Sequence, residues 1–133
     1  MKKIEHIGIA VRNLEEANSL YSKLFNALPY KEEEVASEAV RTSFFRVGPN
    51  KIELLQATNE SSAIHKYIDK KGEGIHHLAF AVEDIYQEME RLKAEGFQAL
   101  MDQPKKGADN KLVIFFHPKT TGGVLIELCQ EII

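Results

Sequence analysis

A single cysteine, Cys129, leaves the chain without an internal disulfide and without the thiolate set of a structural zinc cluster. Any metal site must therefore be assembled from His, Glu, Asp or Gln. An excess of charge of one sign is also lacking. Seventeen basic against 20 acidic side chains give a formal net charge of −3, which disfavours the basic footprint of a nucleic-acid binder. Apolar runs are only a few residues long, far short of a membrane span, and Met1-Lys2-Lys3 leads straight into alternation rather than into a signal-peptide core. Low-complexity tracts are absent, as are the Gly-x-Ser-x-Gly elbow and the Gly-x-Gly-x-x-Gly loop, so serine-hydrolase and dinucleotide chemistry lack their usual marks. A cytoplasmic address is expected. With 133 residues the chain fits one domain, or two small halves sharing a core.

What the sequence does contain is a repeat. His6-Ile7-Gly8-Ile9-Ala10-Val11 aligns with His77-Leu78-Ala79-Phe80-Ala81-Val82 at an offset of 71, and Ile52-Glu53-Leu54-Leu55-Gln56 aligns with Ile126-Glu127-Leu128-Cys129-Gln130 at an offset of 74. Each half thus opens on a His-bearing strand and closes on a Glu-bearing one. In the opening strands one face carries His and then small residues, while the other carries Ile7, Ile9 and Val11 or Leu78, Phe80 and Val82. The bulky face should pack on a helix and the small face should line a space. Asn13 with Glu16, and Asp84 with Gln87, are helix-start pairs, after which apolar residues recur at helical spacing over 14–25 and 85–95, with Gly96 as the second stop. Short β-like runs follow at 28–35, 40–47 and 51–56, then at 97–100, 112–116 and 123–130.

The expected fold is therefore α+β, two βαβββ modules forming one curved mixed sheet around a metal cleft. Module 1 covers about 1–57, a linker with a short helix near 61–68 covers about 58–74, and module 2 covers about 75–133. Residues 104–110 read as a loop or hairpin tip placed where a ligand lid would lie. Alternation points His6, Glu53, His77 and Glu127 toward the space, and a pseudo-twofold relation between the modules would bring them together. A buried unpaired charge costs several kcal/mol, so recurrence of His and Glu at matching buried positions favours coordination. Two imidazoles and two carboxylates suit Co²⁺, Ni²⁺, Zn²⁺ or Mn²⁺. His76 falls on the opposite strand face, His65 lies in the linker helix facing solvent, and His117 ends a strand as either a substrate contact or a turn residue.

Taken together, these features resemble the vicinal oxygen chelate superfamily, which includes glyoxalase I, extradiol dioxygenases and bleomycin-resistance proteins. Within it they are similar to the methylmalonyl-CoA epimerases, most specifically in Gly72-Glu73-Gly74-Ile75-His76-His77 and in His117-Pro118-Lys119 before Gly123-Val124-Leu125-Ile126-Glu127-Leu128. The resemblance implies an isomerase that epimerises methylmalonyl-CoA by 1,1-proton transfer through a metal-stabilised enolate. It implies metal ligands His6, Glu53, His77 and Glu127, with Co²⁺ first and Zn²⁺, Ni²⁺ or Mn²⁺ as alternatives, and Glu127 and Glu53 as catalytic bases with Glu38 in reserve. Some epimerases have a glutamate proposed as an acid/base group where this chain has Thr42, and that role does not transfer. Lys105, Lys106, Lys111 and Lys119, with His117, are the candidate contacts for an acyl-CoA, and a homodimer is expected. The rival readings are glyoxalase I-type isomerisation of a glutathione hemithioacetal and a non-catalytic drug-binding protein of the same fold.

Overall fold

The computed structural model describes residues 1–133. The elements are β1 (Lys3–Ala10), α1 (Leu14–Phe25), β2 (Lys31–Val35), β3 (Val40–Val47), β4 (Asn50–Ala57), α2 (Ala63–Lys71), β5 (Gly74–Ala81), α3 (Ile85–Ala94), β6 (Lys105–Lys106), β7 (Lys111–Phe116) and β8 (Ile126–Glu131). The strands are ordered β2-β3-β4-β1 in the first half and β5-β8-β7-β6 in the second, each set mixing parallel and antiparallel pairs. Two compact units emerge, His6–His76 and Met1–Glu5 with His77–Ile133.

Within the first unit, β1 runs parallel to β4, and β4 and β2 each run antiparallel to β3. Helix α1 covers the bulky face: Val11, Leu14, Ala17, Phe45 and Leu54 form a buried cluster with Ile9, Tyr21, Phe25 and Ile52 around it. Phe45 and Leu54 are wholly inaccessible to solvent, each worth about 1.5–3 kcal/mol of burial. The second unit repeats the scheme, with β5 parallel to β8, and β8 and β6 each antiparallel to β7. There α3 sits over Val82, Ile114, Phe116 and Leu128 through Ile85, Met89 and Leu92. The expected division between a helix-facing bulky face and an opposite small-residue face holds in both units.

The caps act as expected: the Asn13 side chain accepts from Glu16 N–H and the Asp84 side chain from Gln87 N–H, each satisfying a donor that the first helical turn leaves free. Each helix also has a second tether. The Leu14 N–H donates to Gln56 Oε1 at 2.6 Å, and the Ile85 N–H to Gln130 Oε1 at 2.7 Å. The last strand of each unit thereby holds the start of the helix packed on it.

Three expected strands shift. Residues 97–100 do not form a strand, because pairing there is limited to an isolated bridge between Ala99 and Phe116; the short strand before β7 is Lys105–Lys106, inside the segment expected to be a loop. The final strand starts at Ile126 rather than 123, since Gly122 and Gly123 take positive φ (71° and 92°) incompatible with a ladder. β2 starts at Lys31 rather than 28. The linker helix runs to Lys71, and its Ile64, with Tyr67 and Ile68 beside it, packs on Ala10, Val40 and Leu55, so α2 covers one end of the small-residue face of its unit.

Candidate functional site

In the first unit the β1–β4 register sets Gly8 opposite Glu53. In the second, the β5–β8 register sets Ala79 opposite Glu127. In both, the residue facing the glutamate is small and lies two positions after the histidine, which leaves room for a diagonal contact on the same strand face. His6 Nε2 stands 3.2 Å from Glu53 Oε1, and His77 Nε2 stands 3.0 Å from Glu127 Oε1. All four residues are at most 5% exposed.

These pairs can be tested for metal fit by their own geometry. Ligand bonds of 2.0–2.2 Å meeting at 90° to 109° place adjacent N and O donors about 2.8–3.6 Å apart. Both pairs fall in that interval. The donors are borderline nitrogen and hard oxygen, the set a divalent first-row ion accepts, and burial leaves each carboxylate few alternatives to a cation or a donor proton. The residues present therefore fit a divalent metal.

The surroundings of the two pairs are nearly the same. Phe44 on β3 lies opposite Glu53, and Phe115 on β7 lies opposite Glu127. The Phe115 ring meets the His77 imidazole edge-on at 5.6 Å, fixing the plane of that ring. Thr42 marks a difference between them. Thr42 Oγ1–H donates to Glu53 Oε2 at 3.0 Å, and Thr42 is wholly buried. The corresponding position in the second unit, opposite Cys129, is Val113, which has no hydroxyl.

The other sequence candidates separate by position. His76 is half-buried and stacks edge-on against Tyr67, with ring centroids 4.9 Å apart, in keeping with a packing role. His65, expected to face solvent, is half-buried, with Nε2 3.6 Å from Asp69 Oδ2 one helical turn on. Glu38 ends the 3₁₀ turn Ala36–Glu38 and is half-buried. His117 Nδ1 accepts from Lys119 N–H and so caps the 3₁₀ turn Pro118–Thr120. Lys105, Lys106 and Lys119 are exposed. Lys111 is placed in β7 rather than in a loop: it is buried, its Nζ lies 3.9 Å from Asp109 Oδ2 and 4.0 Å from Glu131 Oε1, and it donates to the Asp109 carbonyl.

Sequence reasoning missed Thr42 as a partner of Glu53 and Gln56 and Gln130 as helix tethers. For the glutamines a signal existed, since Gln follows the Glu by three residues in both halves. For Thr42 none did, because its contact depends on the β3–β4 register.

The repeat of βαβββ units, each with a buried His–Glu pair, places the protein in a class. The chain belongs to the Glyoxalase/Bleomycin resistance protein/Dioxygenase superfamily, whose family model matches residues 5–115. Its relatives there include methylmalonyl-CoA epimerases. The chain is 37% identical to the ethylmalonyl-CoA/methylmalonyl-CoA epimerase of Cereibacter sphaeroides, over 96% of this chain and 97% of that one. It is also 37% identical to the mitochondrial methylmalonyl-CoA epimerase of Dictyostelium discoideum, over 97% of this chain and 78% of the relative. A Streptomyces coelicolor methylmalonyl-CoA epimerase variant, solved in complex with 2-nitronate-propionyl-CoA, matches with a TM-score of 0.95 at 31% identity, covering 98% of this chain and 95% of that one. The fold of this chain is thus that of the Streptomyces coelicolor epimerase.

Proposed function

We propose that this protein is an isomerase that interconverts the R and S forms of methylmalonyl-CoA by 1,1-proton transfer, using one divalent metal ion held by His6, Glu53, His77 and Glu127. The observation that carries the reading is the duplicated buried His–Glu pair, in a chain similar over nearly its full length to epimerases of this substrate class. This N/O donor set suits Co²⁺, Zn²⁺, Ni²⁺ and Mn²⁺ alike, and the resemblance to epimerases makes Co²⁺ the first choice. Held by these four residues, such an ion would supply Lewis acidity to the negative charge that develops as the C2 proton leaves.

The chain's own residues supply the proton chemistry. Glu127 accepts the C2 proton at a carboxylate oxygen as the C2–H bond breaks and its electron pair delocalises toward the thioester carbonyl. Return of a proton to the opposite face of C2 completes the inversion, and it falls to Glu53 or Glu38. Burial of the His–Glu pairs keeps bulk water from competing with these carboxylates for the proton. The exposed Lys105, Lys106 and Lys119 offer cationic partners to the CoA phosphates, whereas Lys111 is engaged by Asp109 and Glu131. A cytoplasmic homodimer completes the proposal; no helix is long and apolar enough to cross a membrane.

The deciding experiment follows proton–deuterium exchange at C2 of methylmalonyl-CoA with metal-reconstituted protein, beside a methylglyoxal–glutathione assay. Exchange and epimerisation in the first are expected. Turnover in the second alone would replace the reading with a glyoxalase, and turnover in neither would leave a binding protein.

A further inference from the structure

The two His–Glu pairs are built alike, yet only one glutamate has a threonine hydroxyl aimed at it. We propose that Thr42 is a positioning residue: its hydroxyl, by donating to Glu53 Oε2, turns the carboxylate so that Oε1 is presented beside His6 Nε2 as a fixed ligand atom. This rests on the metal reading above and assigns Glu53 to holding the ion, which leaves the proton from C2 to Glu127.

The geometry is specific. In the β3–β4 register Thr42 lies opposite Leu55, and Phe44 lies opposite Glu53, so Thr42 reaches the glutamate along the diagonal of one strand face. The contact is 3.0 Å, with Thr42 wholly buried and Glu53 4% exposed, so water is a poor substitute donor. A β-branched side chain on a strand has a restricted χ1, and the hydroxyl is therefore directed by the backbone rather than by chance. Oε2 accepts this bond while Oε1 lies 3.2 Å from His6 Nε2, so both oxygens have defined surroundings and the carboxyl plane is set. Val113 stands in the second unit at the spacing of 71 that also separates His6 from His77. It is the isostere without the hydroxyl. The repeat itself thus contains both versions of this position, and the difference between them is one donor proton.

The test compares wild type, Thr42→Val and Thr42→Ser as apoproteins titrated with Co²⁺ against a chelator of known affinity, with the visible absorption spectrum of each cobalt form and a thermal melt. Loss of a hydrogen bond to a ligand typically costs 10–100-fold in metal affinity. Thr42→Val is expected to weaken Co²⁺ binding by at least ~10-fold and to alter the cobalt spectrum, while Thr42→Ser, which keeps the hydroxyl, stays within about threefold of wild type. In C2 exchange the valine variant should recover rate at saturating Co²⁺, because the proton acceptor is Glu127. Wild-type affinity and spectrum in Thr42→Val would overturn the assignment while leaving the metal reading intact. Equal weakening in Thr42→Ser would also overturn it, since the effect would then follow packing rather than the hydroxyl. Wild type that binds no divalent ion would remove both.

Discussion

Replacing Glu127 with Gln changes the protein at one proton-accepting atom pair and nearly preserves its shape. The side chain is 4% exposed, with Oε1 3.0 Å from His77 Nε2, opposite Phe115 in the β7–β8 register. An amide of the same length fits that space, and its carbonyl oxygen can still occupy a ligand position, but it does not accept a proton at neutral pH. If Glu127 only holds the ion, the variant should lose some metal affinity and recover at saturating metal. If it takes the C2 proton, metal saturation should not restore the rate. A positioned general base contributes 10²–10⁴-fold, equivalent to about 2.7–5.5 kcal/mol of activation free energy at 1.36 kcal/mol per tenfold. The expected result is a Glu127→Gln protein with measurable bound metal by elemental analysis, a near-native melt, and C2 deuterium exchange reduced at least ~10²-fold. A metal-loaded variant exchanging at near wild-type rate would refute the base assignment, and the proton acceptor would then have to be Glu53 or Glu38.

Three further outcomes are expected. His77→Ala should remove most of the bound metal, whereas His76→Ala, on the other strand face against Tyr67, should leave metal stoichiometry intact and lower the melting temperature only slightly, the edge-on pair being worth about 0.5–1.5 kcal/mol; elemental analysis separates the two. Gln130→Leu and Gln56→Leu each remove the acceptor from a helix-start N–H and should each cost about 1 kcal/mol in denaturant unfolding, with equal effects if the two tethers are equivalent. The Arg41 guanidinium hydrogen-bonds Glu15 at 2.9 Å and holds its carboxyl below the ordinary value of 4.5, so this pair stabilises the fold above the usual carboxylate range and the contribution disappears as pH falls through it. Arg41→Gln should move the Glu15 titration upward by NMR, with little change in overall stability because the pair is exposed.

Much of this organisation was legible in the chain because it is local or duplicated. Alternation along His6–Val11 and His77–Val82 assigns each side chain to a face by a period of two, so the helix-packing and small-residue faces follow without a structure. The caps at Asn13 and Asp84 act over three residues, and the His and Glu pairs stand out because each occurs twice. Tertiary structure decided what depends on register and long-range packing. Thr42 reaches Glu53 only because β3 and β4 pair with Phe44 opposite that glutamate; a slip of one residue would turn the hydroxyl to the helix face. Gln56 and Gln130 meet helix starts 42 and 45 residues away in sequence, distances at which no periodicity carries information. The short strand Lys105–Lys106 lacks an apolar pattern and exists through its pairing with Val113 and Leu112. Lys111 reads as one more surface cation until β7 buries it between Asp109 and Glu131. Composition and spacing decide which residues are available to a site, whereas strand register and burial decide which atoms touch.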